Sequence, residues 1–219
     1  MKKLVGLIGF AVGAALILNG TPSEAADPKP KLVLTWADPN GLVPFASAVR
    51  REVENLFEDI DCDVRWRQEG RSDLQSGEVG LRVIVMPSKP AGWSHLSPDG
   101  MGVVFAQEVT SSRTVYIFSP TIARALGYGP HSASRPNLPP RERRLLVRAF
   151  GRVIGHEVFH AIAPRLPHAA DGLTSSALDR NFLARPKTFI NAKSAAVFCE
   201  ELGKLAAVVV APESQPEAE

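Results

Sequence analysis

Three of the five histidines of this chain fall within one short segment, residues 155–168, which reads GHEVFHAIAPRLPH. Such crowding constrains the fold, because the imidazoles can act together only where the backbone brings them onto one surface. His156 and His160 are four residues apart, so on an α-helix they project from the same face about one turn apart. The spacing therefore predicts a helix from which both imidazoles reach a single ion.

A zinc ion in a catalytic site takes three protein ligands and leaves a fourth position for water, so the pair on the helix needs one more donor. His168 is the predicted third ligand beside His156 and His160. For His168 to return to the ion, the helix must end soon after His160. Pro164 predicts that end, because it lacks an amide hydrogen and disfavours helical geometry at Ala163.

Glu157 follows the first of these histidines and is predicted to be the general base. Bound zinc lowers the pKa of its water from about 15.7 to near 7, and a carboxylate beside it can take the proton and deliver it to a leaving amine. The alternative is an ordinary helix with exposed or hydrogen-bonded histidines, because the pattern His-Glu-x-x-His (HExxH) also occurs on helices of unrelated proteins that bind no metal. His95 and His131, in loop-like surroundings, are interpreted as surface residues.

The N-terminus has the pattern of an export signal. Lys2 and Lys3 precede an apolar run at residues 4–18, and a small-residue site at residues 23–25 predicts cleavage after Ala25. A retained membrane anchor is the competing interpretation, but this run of 15 residues is shorter than the roughly 20 that a spanning helix needs. We therefore expect a periplasmic or extracellular protein without stable membrane insertion.

Composition places the full chain among ordinary globular proteins, with 45% hydrophobic and 22% charged residues. Loss of the signal would lower the formal charge from +2 to +1, so nothing in the charge indicates a nucleic-acid partner. The expected partner is a peptide or protein substrate.

Residues 26–211 are predicted to be a catalytic domain, and residues 212–219, rich in Pro, Glu, Ser and Gln, a disordered tail.

The two cysteines, Cys62 and Cys199, leave two interpretations open. In an oxidising compartment the pair can form a disulfide. Alternatively, both are small buried apolar side chains, as free cysteines commonly are. A catalytic thiol is the least favoured role, since neither cysteine lies near the histidines in sequence.

Hydrophobic periodicity predicts an α/β (α+β) chain in the order strand, helix, four strands, helix, helix. The strands are predicted at 31–36, 63–67, 80–86, 102–107 and 113–118, and the helices at 44–60, from about 141 into the histidines, and at 191–207. Residues 127–140 are predicted to be an irregular loop. The arginines of the second helix are predicted to form a solvated face; these are Arg141, Arg143, Arg144, Arg148 and Arg152.

The passage from Arg152 to Thr174 resembles the zinc-site segment of the metzincin clan of metallopeptidases. It is more similar still to a group of exported bacterial proteins with a third histidine eight residues after the second and a Gly-Ile-Met turn beyond it. Here His168 lies eight residues after His160, and Gly172 and Leu173 follow. The usual metzincin spacing is six.

The resemblance implies a zinc peptidase with a mixed, roughly five-stranded sheet. Two long helices would precede the third ligand, and another helix would follow the turn. Residues 102–107 would form the sheet edge beside the cleft, where an extended peptide can add as a strand.

The chain departs from that pattern at two places. Thr174 stands where the methionine of the turn is expected, and Ala163 with Pro164 occupies the place of a glycine. None of them is an expected ligand, so the departures bear on turnover more than on zinc. They keep a second hypothesis open, a secreted zinc-containing binding protein with weak or lost hydrolytic activity. A third is an envelope interaction domain without a metal.

Overall fold

The computed structural model describes residues 29–68, 74–106 and 113–210. The predicted export signal and the predicted tail at 212–219 lie outside these residues. The elements are β1 (Lys31–Ala37), α1 (Ala46–Phe57), β2 (Asp63–Arg67), β3 (Glu78–Met86), β4 (Gly102–Ala106), β5 (Arg113–Phe118), α2 (Ser119–Ala125), α3 (Pro140–Ile162), α4 (Arg180–Ala184) and α5 (Ala192–Val210). Within the described ranges, no helix combines the length and apolarity that crossing a membrane requires.

The strands form one mixed sheet in the order β2-β1-β3-β5-β4. All neighbours are parallel except β4, which runs antiparallel to β5 with Gly102 opposite Ile117. The predicted α/β class and the five-stranded sheet are therefore confirmed. In this order β4 lies at one end of the sheet, as expected for residues 102–107.

One face of the sheet is covered by helices. Along β3, Val79, Leu81, Val83 and Val85 are buried and alternate with less buried positions, of which Arg82 is exposed. This period of two is what a strand with one face on the core requires. The core therefore lies between that face and the helices.

Three phenylalanines join the long helices beneath the histidine segment. The ring centroid of Phe57 in α1 lies 5.7 Å from that of Phe159 in α3 and 5.4 Å from that of Phe198 in α5. The rings of Phe159 and Phe198 are 4.5 Å apart. Full burial of each ring contributes about 2–3 kcal/mol. Since Phe159 precedes His160, this packing also fixes the helix that carries the histidines.

Helix α3 begins and ends close to the predicted residues. Pro140 occupies its first turn, where the missing amide hydrogen costs nothing. The helix ends at Ile162, and Ala163 leaves helical geometry with ψ 69° just before Pro164. The guanidinium of Arg113, on β5, donates a hydrogen bond to the carbonyl oxygen of Ala161. That contact satisfies one of the carbonyls that a helix end leaves without an internal partner.

Two short helices were not predicted. The predicted strand at 113–118 is followed directly by Ser119 and Pro120, which form the first turn of α2. Proline is tolerated there, so it marked a helix start instead. Helix α4 has only five residues, too few to show a period, and Asp179 caps it by accepting a hydrogen bond from the backbone N–H of Phe182, at 2.7 Å.

The predicted solvated face is wrong for Arg152. Arg141, Arg143 and Arg144 are exposed, whereas Arg152 has no exposed surface. Its guanidinium donates hydrogen bonds to the carbonyl oxygens of Phe182 and Arg185 at the end of α4. Position 152 faces that helix end, whose free carbonyls favour a cation.

Candidate metal centre

The fold brings the three predicted ligands together. The Nε2 atom of His160 lies 3.0 Å from Nε2 of His156 and 3.1 Å from Nε2 of His168. The ring nitrogens that the three residues offer all lie within 4.8 Å of one another. His156 and His160 come from successive turns of α3, and His168 returns after the helix ends. His95 and His131 are exposed, as predicted.

The hydrogen bond on the far side of the His156 ring defines which nitrogen faces the centre. Its Nδ1 lies 2.9 Å from the carbonyl oxygen of Leu173, and a carbonyl oxygen only accepts, so Nδ1 carries the proton. In the neutral ring, Nε2 then presents its lone pair to the other two histidines. This is the orientation that ligating histidines typically have in metal sites.

The histidine pair on α3 is held in the neutral form. Burial, opposed by the hydrogen bond to Leu173 and reinforced by the neighbouring imidazoles, lowers the pKa of His156 to about 4. Burial and the proximity of His168 also lower the pKa of His160. Neutral imidazole is the form that binds a metal ion, because its lone pair is free.

The donor set fits zinc. Zn–N bonds of about 2.0–2.1 Å in a tetrahedron place ligand nitrogens roughly 3.3–3.4 Å apart. The observed separations of 3.0 and 3.1 Å are a few tenths of an ångström shorter. A neutral His160 has at most one proton to share between His156 and His168, whereas a cation would satisfy all three lone pairs.

The turn after His168 is built to hold the Leu173 carbonyl in place. The backbone N–H of Leu173 donates to the carbonyl oxygen of Phe189, at 2.8 Å, while its own carbonyl oxygen accepts from His156. Gly172 has φ +75°, and a Cβ there would lie 2.8 Å from the same Phe189 oxygen. Both the dihedral angle and the close approach require glycine. The turn glycine noted in the sequence thus orients His156 indirectly.

Thr174 lies at the floor of the site. It lines, with the three histidines and Leu166, a small pocket of about 10 Å³, near the lower limit that admits a single water. Its Oγ1 atom is 3.2 Å from Oγ of Ser194 on α5, and both residues are buried. Asn191 accepts a hydrogen bond from the backbone N–H of Ser194, at 2.9 Å, and so caps α5. A hydroxyl pair therefore stands where the resemblance implied a methionine.

The side chain of Glu157, a residue of α3, packs against Gly102, the first residue of β4. A Cβ built on Gly102 would be 2.6 Å from Cγ of Glu157. Only 9% of Glu157 is exposed, and burial raises its pKa to about 7. The carboxyl group of the predicted general base is thus placed at the edge strand of the sheet.

Three features of the site were not predicted from the sequence. They are the Leu173 carbonyl that orients His156, the contact of Gly102 with Glu157, and the Ser194 hydroxyl beneath Thr174. A backbone carbonyl leaves no side-chain signature. A glycine at the start of a strand is a possible signal of close approach, but not of its partner.

Comparison with known proteins gives a limited likeness. No protein-family model matches the chain, and no curated protein sequence is significantly similar. A solved structure that matches is archaemetzincin from Methanopyrus kandleri, at 13% sequence identity and a TM-score of 0.46. The alignment covers 78% of this chain and 94% of that chain. At this level of similarity, function has to be judged from the site itself.

Proposed function

We propose that the protein is a zinc-dependent peptidase, with His156, His160 and His168 as zinc ligands and Glu157 as the general base. The observation that carries the proposal is the convergence of three imidazole Nε2 atoms, with His160 at 3.0 and 3.1 Å from its two neighbours. Three histidines are the donor set of a hydrolytic zinc site with one open position, and Glu157 follows the first of them on α3.

The bound zinc would supply a Lewis acid and an acidified water at neutral pH. The chain's own residues would do the rest. Glu157 would accept the proton of the attacking water at its carboxylate and deliver it to the nitrogen of the leaving amine. Its burial against Gly102 restricts the carboxylate to one place. Leu173 would keep the His156 ring in the tautomer that ligates.

The edge strand supports a peptide as the substrate. Within the described part of the sheet, β4 has one neighbour, β5, and its first residue contacts Glu157. An extended peptide can add to such an edge through main-chain hydrogen bonds, which would carry its scissile bond past the carboxylate. We also propose, from the N-terminal sequence, that the chain is exported and acts in the periplasm or outside the cell.

The test combines metal analysis with cleavage assays on the purified protein. We expect one zinc per chain after loading and dialysis, and cleavage of members of a peptide library that a chelator abolishes. Glu157→Gln should retain zinc and lose cleavage, whereas His160→Ala should lose zinc. His131→Ala, at an exposed histidine, is the matched control and should behave as the wild type. A zinc-free wild type after loading would contradict the proposal.

A second function remains open because of the Thr174–Ser194 hydroxyl pair at the floor of the site. A secreted zinc-containing binding protein with weak or lost hydrolysis would keep the three ligands without needing turnover. Stoichiometric zinc with no cleavage across a broad peptide library would favour this second function. Cleavage that Glu157→Gln abolishes would exclude it.

A further inference from the structure

Cys62 and Cys199 are 137 positions apart in the chain but meet in the fold. Cys62 immediately precedes β2 and is 8% exposed, and Cys199 lies half-buried in α5, packed against the same core. The Cys199 thiol is a neighbour of the Cys62 thiol, near enough to raise its pKa, and both cysteines are free in this structure.

The packing around the pair places α5 over the end of α1. The ring of Phe198, next to Cys199, lies 5.4 Å from the ring of Phe57, which ends α1 five residues before Cys62. Both rings belong to the buried core. The approach of the two thiols therefore follows from core packing and does not depend on an exposed loop.

The two cysteines differ in their surroundings. Burial, together with the neighbouring Cys199 thiol and the carboxylates of Asp61 and Asp63, raises the pKa of Cys62. Cys199 is the more exposed of the two. Since the thiolate is the attacking species in disulfide exchange, the reaction should begin at Cys199.

We propose that Cys62 and Cys199 form a disulfide by exchange with an external disulfide, and that this bond cross-links α5 to the start of β2. The Cys199 thiolate attacks the external disulfide, which breaks that S–S bond, forms a mixed disulfide and releases one thiol. The Cys62 thiolate then attacks the Cys199 sulfur and releases the second thiol. In sum, two protein S–H bonds and one external S–S bond become one protein S–S bond and two external S–H bonds.

The cross-link would act on the helix beneath the histidines. Ser194, whose hydroxyl contacts Thr174, lies five residues before Cys199 on α5. The bond would also close a long loop of the chain, which restricts the unfolded state. For a chain of this length we expect Tm to rise by roughly 10 °C on oxidation. The disulfide itself does not depend on the proposed peptidase function. Only its expected effect on Ser194 and Thr174, at the floor of the histidine site, rests on that function.

The test equilibrates the purified full-length protein with glutathione at ratios from fully reduced to fully oxidised. The samples are denatured in the presence of an alkylating agent, so that buried free thiols are also labelled, and their masses are measured by mass spectrometry. We expect the wild type to lose both alkylatable thiols without retaining glutathione, and its Tm to fall by roughly 10 °C when the bond is reduced. The thiol count does not depend on metal binding or on peptide cleavage. Failure of the disulfide proposal is therefore distinguishable from failure of the proposed peptidase function.

Single variants separate a cross-link from two independent modifications. Cys62→Ser should retain one glutathione on its half-buried Cys199, whereas Cys199→Ser, whose remaining thiol is only 8% exposed, should retain little or none. Neither variant should show the change in Tm on reduction. Two free thiols in the oxidised wild type would overturn the proposal, and so would two bound glutathiones per chain.

Discussion

Glu157 lies so close to Gly102 that the edge strand has no room for a side chain at that position. An added Cβ would be 2.6 Å from Cγ and 2.9 Å from Oε1 of Glu157. A Cβ atom essentially never comes closer than 3.0 Å to a heavy atom of a residue that is not its neighbour in the chain, so either the Glu157 side chain or the backbone at position 102 must shift. The carboxylate is the group that would move, because the backbone of β4 is held by its pairing with β5.

The first prediction follows from that contact. Gly102→Ala should retain zinc and lower kcat/KM for peptide cleavage about 10- to 100-fold, because a displacement of roughly 1 Å at a catalytic group costs that much. Gly92→Ala is the control, since a Cβ at Gly92 meets nothing within 4 Å. Zinc content and steady-state kinetics of both variants provide the measurement. Unchanged kinetics in Gly102→Ala would show that Glu157 does not depend on this space.

Metal binding should stabilise the folded chain. A ligand that binds the native state and not the unfolded state raises Tm by mass action. We therefore expect Tm of the wild type to fall on treatment with a chelator and to recover when zinc is restored. His168→Ala should keep the Tm of the chelator-treated wild type at every zinc concentration, and His95→Ala, at an exposed histidine, should respond as the wild type. Differential scanning fluorimetry across a zinc titration measures both.

The hydroxyls of Thr174 and Ser194 should be coupled in stability. Each is buried, so Thr174→Val or Ser194→Ala alone leaves one hydroxyl without this partner and should cost about 1–2 kcal/mol. The double variant should cost less than the sum, because no hydroxyl is then left unpaired. Urea unfolding of the four proteins gives the coupling energy. Strict additivity would mean that the 3.2 Å contact contributes nothing.

Arg152 should be required for stability. Arg152→Met removes a buried guanidinium and leaves the carbonyls of Phe182 and Arg185 without their donor, at a cost of about 3 kcal/mol. Arg144→Met, at an exposed position on the same helix, is the matched control and should change the free energy of unfolding by less than about 0.5 kcal/mol. Equal effects in the two variants would contradict the structure of this contact.

Acid should weaken the contact between Glu78, at the start of the central strand β3, and the arginines of the edge strand β2. Burial alone would raise the pKa of this carboxyl, but the backbone N–H of Gln75 and the guanidinium groups of Arg67 and Arg65 together lower it. A lowered pKa in the folded state stabilises the protein above the unfolded value of 4.5, and the stabilisation is lost as pH falls through the folded value.

Glu78→Gln tests that contribution. The substitution should cost about 2 kcal/mol at pH 7, because it removes the buried carboxylate that accepts hydrogen bonds from the partly exposed guanidinium groups of Arg65 and Arg67. Its penalty should shrink below pH 4.5. Glu200→Gln, at an exposed carboxylate paired with Lys204, is the control and should leave stability unchanged. Unfolding curves at several pH values measure both, and a penalty that grows in acid would have the wrong sign.

Local patterns account for what could be predicted from the sequence. The spacing of His156 and His160, the helix end before Pro164 and the alternation along β3 are each read from residues near one another in the chain. Helices and strands repeat over a few residues, so their periods are visible in the sequence. Helix α4 is too short for a helical period to be visible. A proline in the sequence is also ambiguous, because it can mark either the end of an element or the first turn of a helix, as it does in α2.

Residues near one another in the chain were enough to predict the helix with its two histidines, the third histidine beyond a helix-breaking proline, and the order of strands and helices. The orientation of His156 by Leu173, the space that Gly102 leaves for Glu157 and the approach of Cys62 to Cys199 became visible only in the folded chain. The two groups of features differ in how far apart along the chain the interacting residues lie. Periodicity depends on neighbours in the chain, whereas these contacts join segments that approach only when the sheet and helices pack into one core.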